Sequence, residues 1–194
     1  NYRHAISKFS NYHFVSHFLN KKRLIQLGED SRSIKIVGGL GANSISSIKL
    51  LTKKELESAL NTRFKNKIVI INFYPEVSNI KKSIETLKNI FKVIAEIKNI
   101  HCIFSIPSHD AGNDMFEKLI TSFTSKNKNY LFYKNLGQKK FLSLLKISSL
   151  LVGNSSSGVL EMPSFNKYSI NIGDRQKGRI FSKTVIQCQP EVGQ

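Results

Sequence analysis

The residues best suited to chemistry lie in Leu151-Val152-Gly153-Asn154-Ser155-Ser156-Ser157-Gly158-Val159-Leu160-Glu161, where an apolar run gives way to a small, hydroxyl-rich loop and then to a helical pattern. Small residues let backbone approach a ligand, and a helix N-terminus offers unsatisfied N–H groups and partial positive charge. Serine hydroxyls add donors for phosphate oxygens, which makes Ser155 and Ser156 candidate anion ligands. Glu161 falls about one helical turn in, where its carboxylate would accept hydrogen bonds from ribose hydroxyls. The rival reading is an ordinary Ser-capped helix. The glycines bracketing the serines favour the anion site.

A second cluster follows, Ile170-Asn171-Ile172-Gly173-Asp174-Arg175-Gln176-Lys177-Gly178-Arg179. Arg175, Lys177 and Arg179, spaced by glycine, suit an anion on the same rim, although alone they read as a solvated basic loop. Two weaker signals fail. Gly39-Leu40-Gly41 follows a strand pattern, but the third glycine of a dinucleotide fingerprint is Ser44 and no helix is expected to open there. His13 and His17 are spaced like metalloprotease ligands, yet the Glu of that motif is absent and the segment starts as a strand. His101, at a strand start, reads as structural.

The elements that must position these residues follow from apolar periodicity. Helices are expected over Tyr2–Phe9 and Phe18–Leu27, the second stopping at Gly28, with short strands at Tyr12–Ser16 and Ser33–Val37. Residues 42–51 read as a linker. Thr52 and Glu55 form a candidate capping box. Lys67–Phe73 is a continuous apolar strand of the kind buried on both faces of a parallel sheet. An amphipathic helix spans Ile80–Ile97. Strands at Ile100–Ile106, Tyr130–Tyr133, Leu150–Val152 and Tyr168–Ile172 then alternate with helices near Asp114–Phe123, Gln138–Lys146 and Ser157–Met162. Such alternation predicts an α/β fold with a Rossmann-like, doubly wound parallel sheet, whose ligands bind outside the carboxyl ends of the strands.

Composition narrows the partners. The chain has 194 residues, is 40% hydrophobic and carries a formal charge of +17. Lysines such as Lys21-Lys22, Lys53-Lys54 and Lys81-Lys82 are scattered on expected helices, which reads as a solvated face, and no nucleic-acid recognition module accompanies them. No apolar run reaches the ~18 residues of a membrane span. Two cysteines are too few for a disulfide framework and suit a reducing cytoplasm. The start at Asn1-Tyr2-Arg3-His4, without Met, reads as a cut.

Several motifs together resemble the hydrolysing UDP-N-acetylglucosamine 2-epimerases, including those of sialic-acid and legionaminic-acid pathways. The resemblance rests on Arg3-His4-Ala5-Ile6-Ser7-Lys8, Ile25-Gln26-Leu27-Gly28-Glu29, Asp110-Ala111-Gly112 and Leu136-Gly137-Gln138. Its most specific parts are the GNSSSG run at Gly153–Gly158 and the NIGDRQKGR run at Asn171–Arg179. It implies a glycosyltransferase-B-type two-domain fold. Residues 1–45 would be the tail of the N-terminal Rossmann-like domain and 46–194 most of the C-terminal UDP-binding domain. The family's catalytic Asp and Glu residues, and its C-terminal crossing helix, would lie outside the chain. The resemblance also places Ser155 and Ser156 on the diphosphate, Arg175 near the phosphates, Phe141 on uracil, Leu136 beside it and Glu161 on the ribose. The residue pattern alone leaves Phe141 in the core.

The resemblance implies a homo-oligomer acting on a UDP-sugar, without cofactor or metal. The reaction would eliminate UDP to a glycal and hydrate that to the epimerised free sugar. This sequence departs from the family at Tyr74, which stands where the family has a catalytic His before Pro. An unperturbed tyrosine, with a pKa near ~10, is a poor proton shuttle at neutral pH. Rival readings are a sugar transferase of the same architecture, a homologue that binds UDP without turnover, and a basic nucleic-acid-binding domain.

Overall fold

The computed structural model describes residues 2–76, 79–106 and 113–191, apart from the side chains at 40, 42–44 and 113. The Asp110-Ala111-Gly112 turn lies outside these residues. The chain divides into two compact units, Asn1–Ile48 and Lys49–Gln194.

In the first unit, α1 (Tyr2–Phe9), β1 (His13–Val15), α2 (Phe18–Gln26), β2 (Ile34–Ile36) and α3 (Leu40–Ser47) follow one another. β1 and β2 pair in parallel, His13 opposite Ile34. Glu29 ties the unit together, receiving Lys8 Nζ at 2.8 Å and His13 Nε2 at 3.2 Å. His17 caps α2 by accepting from the Leu19 amide, so both histidines of the rejected metal pair have other work. Gly28 ends the helix with φ +88°, a conformation that suits glycine. Tyr2, Phe9, Phe14 and Phe18 remain exposed.

The second unit opens with α4 (Lys53–Ala59), capped by the reciprocal Thr52–Glu55 box. It continues as β3 (Lys67–Asn72), α5 (Ile80–Glu96), β4 (Ile100–Ser105), α6 (Asn113–Thr124), β5 (Tyr130–Tyr133), α7 (Gly137–Ile147), β6 (Leu150–Gly153), α8 (Ser156–Leu160), β7 (Tyr168–Ile172) and β8 (Val185–Cys188). The strands form one parallel sheet in the order β5-β4-β3-β6-β7-β8. Ile70, Ile71, Ile103, Phe104 and Leu151 are at most 1% exposed, in keeping with β3 reading as a continuous apolar run buried on both faces. Phe91, Phe123 and Tyr130 stack in series beside Phe104, filling the layer between α5, α6 and the sheet.

Three expectations are corrected. The stretch read as a linker holds α3, so a helix does open after Gly39, which is its N-cap. β8 was not expected: it is short and carries the polar Gln187, but pairing with β7 extends the sheet. α8 ends at Leu160, and a separate 3-10 turn covers Met162–Phe165, so Glu161 sits at the helix end rather than inside it. His101 is buried; its Nε2 accepts from the Lys65 amide at 3.1 Å, a structural contact.

Candidate functional site

Within the second unit the chain begins its sheet at the centre, winds outward through β4 to β5, then returns to the other side of β3 as β6, β7 and β8. The reversal falls between β3 and β6, and in open parallel sheets ligands bind at such a point, outside the carboxyl ends. Gly153, at the end of β6, lies opposite Asn72 with φ +149°. A Cβ there would sit 2.5 Å from the Asn72 carbonyl carbon and closer still to its oxygen, so only glycine lets the two strand ends approach.

Asn154 follows and is fully buried. Its side chain clamps the backbone of Tyr74, accepting from the amide at 2.8 Å and donating to the carbonyl at 2.9 Å. Its own carbonyl accepts from Gln176 Nε2 at 2.8 Å and from Arg175 Nη1 at 3.2 Å. One residue therefore joins the segments that leave β3, β6 and β7. The Arg175 guanidinium also lies over the Tyr74 ring, 5.0 Å from its centroid.

Ser155 is buried and caps α8, its hydroxyl oxygen accepting from the Ser157 amide at 3.2 Å while its proton stays available for donation. Ser156 opens the helix and is half-buried. Ser169 Oγ donates to the Gly158 carbonyl at 2.6 Å, which holds α8 against β7. Glu161 caps the other end; its Oε2 is buried with no hydrogen-bond partner among the described residues. Burial pushes the Glu161 carboxyl above its ordinary range, opposed by Ser157 and by the charge of Arg179.

On the other side of the switch point, β5 leads into α7. Asn135 Oδ1 accepts from the Gly137 amide at 2.8 Å, fixing the turn that buries Leu136. Leu136, Phe141 and Tyr74 line one cavity of about 180 Å³ together with Asn72 and Ser105. Phe141 is half-buried there rather than sunk in the core. Tyr74 is thus common to two groups: an apolar cavity with Leu136 and Phe141, and a polar rim with Asn154, Ser155 and Arg175. Glu161 closes the far end of α8 and does not line this cavity. Sequence reasoning missed Asn154 and Gln176. A polar side chain directly after an apolar strand was the available sign for Asn154; Gln176, within a basic loop, gave none.

The arrangement offers a flat ring with an apolar partner on one side, and hydroxyls with a guanidinium on the other, a pattern suited to a nucleotide base and its phosphates. Comparison with known proteins gives the family. A sequence-family model described as UDP-N-acetylglucosamine 2-epimerase matches residues 1–194. The GDP/UDP-N,N'-diacetylbacillosamine 2-epimerase (hydrolyzing) of Campylobacter jejuni is 38% identical over 96% of this chain and 49% of its own length. Polysialic acid biosynthesis protein P7 of Escherichia coli is 36% identical over 97% of this chain and 48% of its own. The chain thus spans about half the length of the curated relatives it matches. A crystal structure of Methanocaldococcus jannaschii UDP-GlcNAc 2-epimerase in complex with UDP-GlcNAc and UDP has the same fold, with a TM-score of 0.74 at 20% identity over 93% of this chain and 51% of that one. The chain belongs to the UDP-N-acetylglucosamine 2-epimerase family.

Proposed function

We propose that this chain is the UDP-binding part of a hydrolysing 2-epimerase acting on UDP-GlcNAc or a related UDP-2-acetamido sugar. The observation that carries the reading is the Gly153–Gly158 loop at the switch point, with the Arg175 guanidinium bonded to the carbonyl just before Ser155. In this reading Ser155, Ser156 and Arg175 take the diphosphate, Phe141 stacks on uracil beside Leu136, and the unpartnered Glu161 oxygen accepts from the ribose hydroxyls. Donors held in advance at the diphosphate stabilise the charge that develops as UDP leaves carbon 1. Loss of the carbon-2 proton gives a glycal, and hydration of that glycal gives the epimerised free sugar. In this reading the carboxylates for these proton transfers are supplied from outside these 194 residues. No step so written uses a cofactor.

The same proposal assigns residues 1–45 to the tail of an N-terminal Rossmann-like domain and 46–194 to the C-terminal domain of a glycosyltransferase-B-type fold. The paired but isolated strands β1 and β2, and the exposed Tyr2, Phe9 and Phe14, support the first assignment, since a two-stranded sheet buries too little to stand alone. Among the described residues no helix is long and apolar enough to cross a membrane. The full-length protein is read as a cytoplasmic homo-oligomer in sialic-acid-type sugar biosynthesis, with no nucleic-acid partner.

Isothermal calorimetry with UDP, followed by NMR of the products from UDP-GlcNAc, tests the reading. The full-length protein should bind UDP and release it without an acceptor, yielding the 2-epimer. A sugar transferase would need an acceptor. A nucleic-acid-binding protein would give no heat with UDP and bind DNA with steep salt dependence. The 194-residue chain alone should bind UDP without releasing it from UDP-GlcNAc; deuterium incorporated at carbon 2 by that chain would refute the division of labour.

A further inference from the structure

We infer that Tyr74 is a positioning residue, its ring the platform that holds the Arg175 guanidinium at the phosphate rim. The inference rests on the UDP reading above and gives Tyr74 a task other than proton transfer.

The geometry has three parts. The Tyr74 backbone is fixed in both directions by the buried Asn154 side chain, at 2.8 and 2.9 Å, so the ring projects from an anchored main chain. The guanidinium lies 5.0 Å from the ring centroid, within the range of attraction between a cation and an aromatic face. The same guanidinium donates to the Asn154 carbonyl at 3.2 Å, so ring and carbonyl hold it from two sides. Arg175 is otherwise an exposed residue on a loop, and a long side chain in that setting spreads over many rotamers. A planar guanidinium that stacks and donates at once loses less freedom when it meets a phosphate than one recruited from solvent. Tyr74 also walls the cavity shared by Leu136 and Phe141, so a purely structural role is the competing explanation.

The two roles separate by ligand. Arg175 acts on phosphate, so loss of its platform should weaken UDP binding and spare uridine, whereas loss of a cavity wall should weaken both. Calorimetry on the full-length protein would compare Tyr74→Phe, Tyr74→Leu, Arg175→Ala and the Tyr74→Leu/Arg175→Ala pair, with thermal unfolding as a check on folding. Tyr74→Leu should lower UDP affinity about fivefold, the scale of an exposed cation–π contact, and leave uridine within twofold. Tyr74→Phe, which keeps the ring, should restore UDP affinity to within twofold of the wild type. In the Arg175→Ala background, Tyr74→Leu should cost nothing further.

Equal losses of UDP and uridine in Tyr74→Leu would overturn the inference, as would additive effects in the pair or a Tyr74→Phe variant as weak as Tyr74→Leu. Should Tyr74→Leu not fold, Tyr74→Phe and Arg175→Ala still decide, because full UDP affinity in Arg175→Ala also overturns it. A wild-type protein that binds UDP while failing these tests keeps the UDP reading; one that does not bind UDP loses both.

Discussion

Replacing Gly153 with alanine should be among the most damaging single-methyl changes available to this chain. The new Cβ would meet backbone, not a yielding side chain: it lies 2.5 Å from the Asn72 carbonyl carbon, nearer to the oxygen, and 3.0 Å from the Phe73 nitrogen. Overpacking of this kind costs ~1–3 kcal/mol. Holding a residue with a Cβ at φ +149° adds ~1–3 kcal/mol of backbone strain. The sum, about 4 kcal/mol, is a large part of the ~5–15 kcal/mol that a typical fold has in reserve. For a domain of this size it corresponds to a fall in Tm of about 10 °C. Gly158→Ala is the control. Its Cβ would lie 3.2 Å from Leu151 Cδ2 and 3.4 Å from Ser169 Cβ, side chains that can give by a few tenths of an ångström. Helix propensity returns up to ~1 kcal/mol there, so its net effect should stay within about 1 kcal/mol. Urea unfolding at pH 7, followed by far-ultraviolet circular dichroism, measures both. If Gly153→Ala shifts the midpoint no further than Gly158→Ala does, the strands part more easily than the geometry says and the close-approach argument fails.

The remaining predictions concern ligand and pH. Ser155→Ala/Ser156→Ala should weaken UDP binding by several kcal/mol, at ~0.5–3 kcal/mol per lost hydrogen bond, with calorimetry on a folded double variant as the measure; unchanged affinity would remove the loop from the site. Phe141→Ala should weaken uridine and UDP alike, at the ~1–3 kcal/mol typical of base–aromatic stacking, and equal binding of both ligands to variant and wild type would place the base elsewhere. Burial raises the Glu161 carboxyl, and ribose hydroxyls need its ionised form, so uridine affinity should fall as pH drops from 7 to 5 and the fall should flatten in Glu161→Gln. Burial, reinforced by the Lys53 charge, holds the His101 imidazole below its ordinary pKa of 6.5. Above 6.5 both folded and unfolded states are neutral at this residue and its contribution is fully present. Below it the unfolded chain takes the proton first, so stability falls by up to ~1.4 kcal/mol per pH unit. The urea midpoint should therefore drop less between pH 7 and 5 in His101→Gln, whose amide oxygen can still accept from the Lys65 N–H.

What could be read in advance depended on whether a residue's neighbours were near in sequence. The Thr52–Glu55 cap, the Gly28 stop and the apolar run of β3 are local or nearly so, and each has a pattern that names its conformation. α3 was illegible because Asn43, Ser44, Ser46 and Ser47 offer the backbone competing side-chain hydrogen bonds, so their propensity argues for turns. β8 was illegible because its strand character comes from β7 alongside it, not from its own alternation. The same division runs through the site. Ser155, Ser156 and Arg175 are candidates by type and by their place just after strand ends, and Glu161 is one by type alone, since it closes α8. Phe141, one aromatic among thirteen phenylalanines, carried no such mark, and only the family resemblance raised it. The bonds that make Asn154 a hub reach across dozens of residues, and no periodicity encodes them.

That reach bears on how the protein comes to be folded. The clamp between Asn154 and Tyr74 spans a sequence separation of 80 residues, so it cannot form until β4, β5, α6 and α7 have been threaded and β6 has returned to β3. The entropy of closing so long a loop is met before the contact rewards it, which makes this pairing intrinsically slow beside the local β3–β4 and β4–β5 steps. The rim of the switch point is then among the last places to be built during folding. Its integrity reports that β6 has returned to the side of β3, and a ligand gripping both strand ends would favour chains in which that return is complete.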